Sequence, residues 1–196
     1  MPLVIVLHGR GADANDLADI APFIDTPEGC RFVFPNAPKP FEPYPGMTFG
    51  FSWFDGWPPA RASVVEARGL LLDFLDEMTQ QYAVDGDKIV LAGFSQGAMM
   101  SMDAGFRAPK PPRGIVMMSG ALYEEDAPQF EARRDQRVLI VHGTEDEVIP
   151  VRAARRARAV LEEHGLEPEY HEFAMGHNVT PESLAVVQEF IRGCFG

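Results

Sequence analysis

Short apolar runs alternate with amphipathic segments along the whole chain. Five runs are continuously apolar and the sixth is more polar; they cover residues 3–7, 31–34, 88–94, 114–118, 137–141 and 169–173. Strands that are covered on both faces lose the alternation of half-exposed strands, so continuous runs indicate a parallel sheet. Strand alternating with helix predicts a doubly wound α/β fold with helices on both faces of the sheet.

The segments between the runs carry apolar stripes at helical spacing. One helix is predicted to open with Ser63 and Glu66, the spacing of a capping box. An arginine-rich helix over 151–164 closes at Gly165, and the last helix begins at Thr180-Pro181. The stripes of the first, second and last helices are Leu17, Ile20, Ala21 and Ile24; Val64, Ala67, Leu71, Phe74, Leu75, Met78 and Tyr82; and Leu184, Val187, Ile191 and Phe195.

Residues 35–59 break this rhythm, because they combine seven prolines with many aromatic side chains. Prolines disfavour regular elements, while a disordered linker would be poorer in aromatics. We therefore expect a long ordered loop that covers part of the domain. Phe49, Phe51, Trp53 and Phe54 are candidates to line an apolar substrate pocket, and packing of the loop onto the sheet explains them equally well.

Composition and charge narrow the class of protein. The 196 residues are 46% hydrophobic and carry 17 basic against 29 acidic side chains, a net charge of −12. This composition is globular, and we expect a single domain over residues 1–196. An acidic surface argues against nucleic acid or an anionic membrane as the main partner.

The sequence predicts neither a membrane-spanning segment nor a targeting segment. No apolar run approaches the ~20 residues that cross a bilayer, so we expect no stable membrane insertion. The apolar run at 2–7 lacks a basic flank and does not resemble a signal peptide. Cys30 and Cys194 are expected to be free thiols in a reducing cytoplasm. The oligomeric state is open, with a homodimer as one alternative.

Gly93-Phe94-Ser95-Gln96-Gly97 is a G-x-S-x-G pentapeptide between a predicted buried strand and a helix. This is the setting of a nucleophilic serine, since the glycines permit a tight turn and the helix N-terminus favours developing negative charge. A glycine-rich turn with a capping serine explains the pentapeptide alone equally well. Other groups must therefore decide between the two interpretations.

A serine nucleophile needs a base, and His177 is the best placed of five histidines. It follows Gly176 in a loop between the last strand and the last helix, whereas His8, His142, His164 and His171 fit structural positions at strand ends, in a helix end and within a strand. An acid must orient the base, and spacing alone does not choose among Glu145, Asp146 and Glu147. Serine, acid and histidine follow one another in the order of α/β-hydrolases.

Six segments together resemble the phospholipase/carboxylesterase family of α/β-hydrolases, the group of acyl-protein thioesterases and small bacterial carboxylesterases. The segments are 7–11, 35–38, 52–55, 93–97, 142–150 and 175–177, which contain LHGRG, PNAP, SWFD, GFSQG, HGTEDEVIP and MGH. They occur in order over nearly the whole chain. The resemblance implies an α/β-hydrolase fold with a mostly parallel sheet, helices on both faces and no separate cap domain. Relatives usually carry extra residues before the first strand matched here, so the sheet of this chain is expected to be reduced to about six strands.

The same resemblance implies the chemistry. It selects Asp146 as the acid, four residues before Pro150, and Arg10 and Gln96 as the backbone N–H donors of an oxyanion hole. The implied reaction is hydrolysis of small ester or acyl substrates, with thioesters and lysophospholipids among the alternatives, through a Ser95–His177–Asp146 triad and an acyl-enzyme. It implies no cofactor and no metal ion.

Rival interpretations remain at the sequence level. A dehalogenase or a dienelactone hydrolase of this fold would normally carry an acid or a cysteine at position 95. A metal-dependent hydrolase using His8 and His142 lacks ligand spacing. A catalytically inactive hydrolase-fold binding protein is the main alternative, and reactivity of Ser95 discriminates it.

Overall fold

A computed structural model describes the chain except for residues 25, 27, 28, 126, 127 and 129. Its main sheet has six parallel strands, the number predicted: β1 Leu3–Leu7, β2 Arg31–Val33, β5 Ile89–Phe94, β6 Gly114–Met118, β7 Arg137–Gly143 and β8 Glu169–Phe173. A small antiparallel pair is β3 Lys39–Pro40 and β4 Phe51–Ser52. The order of the strands in the main sheet is β2-β1-β5-β6-β7-β8. The four α-helices of the described chain are α1 Arg61–Gln81, α2 Gln96–Gly105, α3 Arg152–Glu163 and α4 Pro181–Phe195.

Alternate residues of the strands bury against different helices. Leu3, Ile5 and Leu91 lie in a core cluster with α1 and α2, whereas Val4 and Val90 lie in a cluster with α4. A third cluster joins α2 and α3 to strands β6 and β7. Both faces are thus covered, which is why the strands are continuously apolar. The prediction of an α/β-hydrolase sheet with helices on both faces is confirmed.

Two helix predictions need correction. The first stripe forms only a short 3₁₀ helix, Ala18–Phe23, because Pro22 within it has no N–H to donate. The second helix, α1, begins at Arg61, so Ser63 lies in its first turn and does not cap it. The Ser63 hydroxyl instead accepts the N–H of Asp55 at 2.8 Å and donates to the Asp55 carboxylate at 3.1 Å.

These contacts order the proline-aromatic segment, which denotes residues 35–59. Lys39 Nζ lies 3.0 Å from Asp55 Oδ2 and 2.9 Å from Glu66 Oε2, which ties the segment to α1. The ammonium group of Lys39 lowers the pKa of Asp55, and its partners Glu66 and Asp55 raise the pKa of Lys39. The segment is ordered as expected, although it contains the short pair β3–β4. No described helix is long and apolar enough to cross a membrane.

Candidate active site

Ser95 stands at a sharp turn between β5 and α2. Its φ of 54° and ψ of −117° lie outside the regions that non-glycine residues normally adopt. The turn is held by the Ser95 N–H, which donates to the Met118 carbonyl at 2.9 Å. It also needs two glycines: a Cβ at Gly93 would lie 2.3 Å from the Gly97 backbone, and a Cβ at Gly97 would lie 2.2 Å from Leu7 O. Close backbone packing thus explains why the pentapeptide has glycine at both ends.

Asp146 lies in the turn after β7, at the carboxyl end of the sheet. Its Oδ1 accepts the N–H groups of Val148 at 2.9 Å and Ile149 at 2.8 Å, and its side chain is fully buried. The neighbours Glu145 and Glu147 are exposed. Because both backbone donors bind the same oxygen, the second oxygen, Oδ2, is left to face the histidine loop.

His177 bridges the serine and the aspartate. Its Nδ1 lies 2.7 Å from Asp146 Oδ2, and its Nε2 lies 2.9 Å from Ser95 Oγ. A carboxylate accepts only, so Nδ1 carries the proton and Nε2 accepts from the hydroxyl. The loop reaches this position because Gly143 has no side chain: a Cβ there would lie 2.1 Å from Met175 O.

The two predicted oxyanion donors flank the serine. Gln96 is the first residue of α2, where backbone N–H groups have no acceptor within the helix. Arg10 follows β1, which pairs with β5 through Leu7 and Gly93, and Gly9 packs against the side chains of Phe94 and Ser95. Both donors belong to segments next to Ser95, the arrangement that an oxyanion hole requires.

A buried brace joins these two segments. The Trp53 indole N–H donates to the His8 carbonyl at 2.9 Å, and the Trp53 backbone N–H donates to Gln96 Oε1 at 2.7 Å. The Gln96 amide also donates to the Phe54 carbonyl at 2.8 Å. His8 and Trp53 are buried, so water does not compete for these bonds. This role for the Gln96 side chain has no signal in the sequence, because its partners lie more than 40 residues away.

A cavity of about 180 Å³ opens at Ser95. Of the four predicted pocket aromatics, Phe54 lines this cavity. Phe49 is 51% exposed elsewhere in the loop. Phe51 packs against the core cluster that contains α1 and α2, and Trp53 forms the brace. Backbone pairing of Phe51 with Gly11 and Ala12 turns it away from the serine. The complete lining is Arg10, Phe54, Gly56, Trp57, Ser95, Gln96, Met99, Val148 and Ile149.

The lining also includes Met99, Val148 and Ile149, which the sequence analysis does not single out as pocket residues. The last two follow Asp146 in the same turn, so the turn that supplies the acid also supplies an apolar wall. That proximity in sequence is the signal that would have found them.

His8 and His142 occupy structural positions, as their strand-end sites predicted. His8 Nε2 accepts the N–H of Ala37 at 3.0 Å, and burial lowers the pKa of His8. His142 Nε2 lies 2.7 Å from the Ile149 carbonyl, an obligate acceptor, so this nitrogen carries a proton. Both rings thus fasten loops that border the site.

The sequence is similar to those of known enzymes over most of its length. A sequence profile described as Phospholipase/Carboxylesterase matches residues 1–195. Acyl-protein thioesterase 1 of Schizosaccharomyces pombe is 30% identical over 75% of this chain and 69% of its own length. The enzyme of the same name from Saccharomyces cerevisiae is 25% identical over 96% of this chain and 91% of its own.

Solved structures resemble the whole chain. Esterase PE8 is 30% identical, with a TM-score of 0.85 over 98% of this chain and 92% of that one. SOBER1 of Arabidopsis thaliana has a TM-score of 0.83 at 20% identity and covers 100% of this chain and 99% of that one. The second likeness shows the fold alone.

Proposed function

The chain belongs to the phospholipase/carboxylesterase family and is a hydrolase of ester-type bonds, and we propose that it acts through Ser95, His177 and Asp146. The observation that carries the proposal is the continuous hydrogen-bonded chain from Ser95 Oγ through His177 to the buried carboxylate of Asp146. A serine hydroxyl becomes nucleophilic when a positioned base accepts its proton. A binding protein would not require this alignment.

The proposed reaction has two steps. Ser95 Oγ attacks the ester carbonyl while His177 Nε2 takes the hydroxyl proton, and Asp146 stabilises the imidazolium that results. The N–H groups of Arg10 and Gln96 bind the oxyanion, and collapse expels the alcohol, which receives the proton from His177. Water, deprotonated by His177, then attacks the acyl-enzyme and releases the acid and free Ser95.

The cavity supports a short substrate group. With about 180 Å³ the cavity is smaller than the roughly 300–1,000 Å³ of ordinary small-molecule pockets, which favours a small substrate group. Its walls are apolar at Phe54, Trp57, Met99 and Ile149. We therefore propose carboxylic esters with a short acyl or alcohol group as preferred substrates. Short-chain thioesters are the second candidate, because the curated relatives are named acyl-protein thioesterases.

Intact mass after exposure to a fluorophosphonate tests the nucleophile. We expect one adduct on the wild type and none on Ser95→Ala. Ser101→Ala is a matched control, because the Ser101 hydroxyl is buried and bonds the carbonyls of Ala98 and Val116, so the variant should still be labelled. A folded wild type that forms no adduct would overturn the proposal in favour of an inactive binding protein.

A panel of 4-nitrophenyl esters tests the substrate size. Activity should fall as the acyl chain lengthens, since a cavity of about 180 Å³ accommodates only a short chain at Ser95. The corresponding thioesters measure the choice between the two leaving groups. Equal kcat/KM for butyryl and palmitoyl esters would contradict the size argument.

A further inference from the structure

Arg10 presents the only cationic side chain to the surroundings of Ser95 among the described lining residues. It lines the 180 Å³ cavity at the serine and also a neighbouring cavity of about 410 Å³. The two cavities share Arg10, Phe54 and Gly56, so they lie side by side. The cavity at the serine has mostly apolar walls, whereas the neighbouring one, here called the outer cavity, contains charged groups.

The Arg10 guanidinium is positioned by stacking rather than by an ion pair. Its Cζ lies 5.2 Å from the centroid of the Phe41 ring, and Phe41 also lines the outer cavity. Gly11 leaves room for that ring, since a Cβ there would lie 3.1 Å from Phe41 Cδ1. A contact with the ring uses the positive charge without an acceptor atom, and among the described residues no side-chain hydrogen bond of Arg10 is formed, so its N–H donors are available to an anion.

Other arginines of this acidic chain contrast with Arg10. Arg155, Arg156 and Arg158 each pair with a glutamate at 2.7 Å, and Asp103 holds Arg68 at 2.6 Å. Within the described part of the chain, Arg10 forms no ion pair. An unneutralised cation in a chain of net charge −12 is therefore available to a ligand, and its place beside Ser95 points to the substrate.

The acids of the outer cavity are already engaged. Asp55 is bound by Lys39 and Ser63, and Glu42 accepts a hydrogen bond from Thr48 at 3.3 Å. Neither offsets the charge of Arg10 through a direct contact. Glu42 still opposes an anion in the same cavity by repulsion, which gives the site a second residue that can be tested.

We propose that Arg10 binds a carboxylate of the substrate in the outer cavity while the ester carbonyl lies at Ser95. The substrate class is an ester with a short apolar group on one side of the carbonyl and an anionic group on the other. This inference rests on the proposed function, because Ser95 fixes where the carbonyl lies. The guanidinium supplies paired donors of the geometry that a carboxylate accepts.

Two pairs of substrates isolate the charge. The first is 4-acetoxybenzoate with 4-acetoxybenzamide, which places the anion on the alcohol side. The second is the monophenyl ester of adipic acid with the corresponding monoamide phenyl ester, which places it on the acyl side. The wild type should prefer the anionic member of one pair by about tenfold in kcat/KM, as for one charge-assisted hydrogen bond. Added salt should reduce this preference by screening.

The variants then assign the preference to Arg10. Arg10→Gln should abolish the ratio of anionic to neutral kcat/KM, Arg10→Lys should retain part of it, and Glu42→Gln should raise it. Arg31→Gln is the matched control. Arg31 also lies over an aromatic ring, Tyr82, at 5.0 Å, but it stands at the start of β2, at the amino ends of the strands, whereas Arg10 follows the carboxyl end of β1. This control should keep the wild-type ratio.

The outcomes separate the two proposals. A wild type that hydrolyses neutral esters through Ser95 with no preference in either pair, or an Arg10→Gln variant with an unchanged ratio, overturns the anion site and leaves the proposed function intact. Hydrolysis of the neutral esters by Ser95→Ala at the wild-type rate overturns the proposed function itself.

Discussion

The strand ends that carry Ser95, Asp146 and His177 and the proline-aromatic segment hold the same site by different physical means. At the strand ends, backbones approach so closely that a Cβ at Gly97 or Gly143 would lie 2.2 Å or 2.1 Å from a carbonyl oxygen. In the proline-aromatic segment, backbone pairing with the loop after β1 is confined to Phe51 with Gly11 and Ala12. Side chains supply the other contacts named above, through the Trp53 brace and the Lys39–Asp55–Ser63 contacts.

The two regions should differ in how well they tolerate substitution. Where two backbones are in contact, there is no space for an added side-chain atom, because neither backbone can move without moving the sheet. Side-chain contacts can be lost one at a time, each for about 0.5–1.5 kcal/mol. The strand ends should therefore respond to substitution steeply, and the segment in small steps.

Replacement of Asp146 should give the largest effect. Asp146→Asn keeps the size of the side chain but presents an amide donor to His177 Nδ1, which favours the wrong tautomer; we expect kcat to fall about 10³–10⁴-fold. Steady-state hydrolysis of 4-nitrophenyl acetate measures this. Glu145→Gln and Glu147→Gln are matched controls in the same turn, because both side chains are exposed. If a control lost as much activity as Asp146→Asn, the acid would be misassigned.

Addition of a methyl group should break the turn at Ser95. Gly97→Ala places a Cβ against Leu7 O, and we expect a loss of about 3 kcal/mol in the free energy of unfolding, together with activity. Gly69→Ala is the control, because nothing lies within 4 Å of that Cβ in α1 and alanine there should add about 0.5–1 kcal/mol. Urea unfolding measures both. A Gly97→Ala protein of wild-type stability would remove the contrast between the two regions.

The brace should show a smaller, graded effect. Trp53→Phe retains a ring but loses the indole donor to His8 O, so the segment carrying the Arg10 N–H is held less firmly. We expect kcat to fall about tenfold with KM nearly unchanged, less than the 10²–10³ for complete loss of an oxyanion donor. Phe130→Leu, in the core cluster beneath α3, should lower stability without changing kcat. If Trp53→Phe and the wild type had the same kcat, the brace would support the structure without contributing to catalysis.

The smallest effect concerns the link between His8 and the proline-aromatic segment. Burial lowers the pKa of His8 below its ordinary value of 6.5. The unfolded chain therefore binds this proton more readily, so stability is complete above pH 6.5 and declines as the pH falls through the native pKa. His8→Gln keeps an acceptor for the Ala37 N–H without titrating. The free energy of unfolding, measured at about pH 7.5 and about pH 5, should fall less on acidification in this variant than in the wild type. An equal decrease in both proteins would contradict the prediction.

Particular residues show how far the sequence alone reaches. The six strands and their faces could be predicted, because burial on both faces leaves a continuous apolar run in each strand. Ser63 was misassigned as a cap because capping-box spacing is local, whereas its actual partners, Asp55 and Lys39, lie on another segment. The sequence alone left three acids open, and the buried turn distinguishes Asp146 by two backbone N–H donors.

The sequence by itself determined the strands and the order of the strand-end residues, because each apolar run and each turn motif depends on neighbours within a few residues. The need for glycine at positions 97 and 143 comes instead from Leu7 and Met175, which are distant in sequence. Only the tertiary structure decided which aromatics face the cavity: Phe54 lines it, while Trp53 braces two loops and Phe49 lies at the surface. The physical reason is that residues 35–59 lack a helical or strand period. The direction of each side chain is therefore set by partners such as His8 and Gln96, which are distant in sequence.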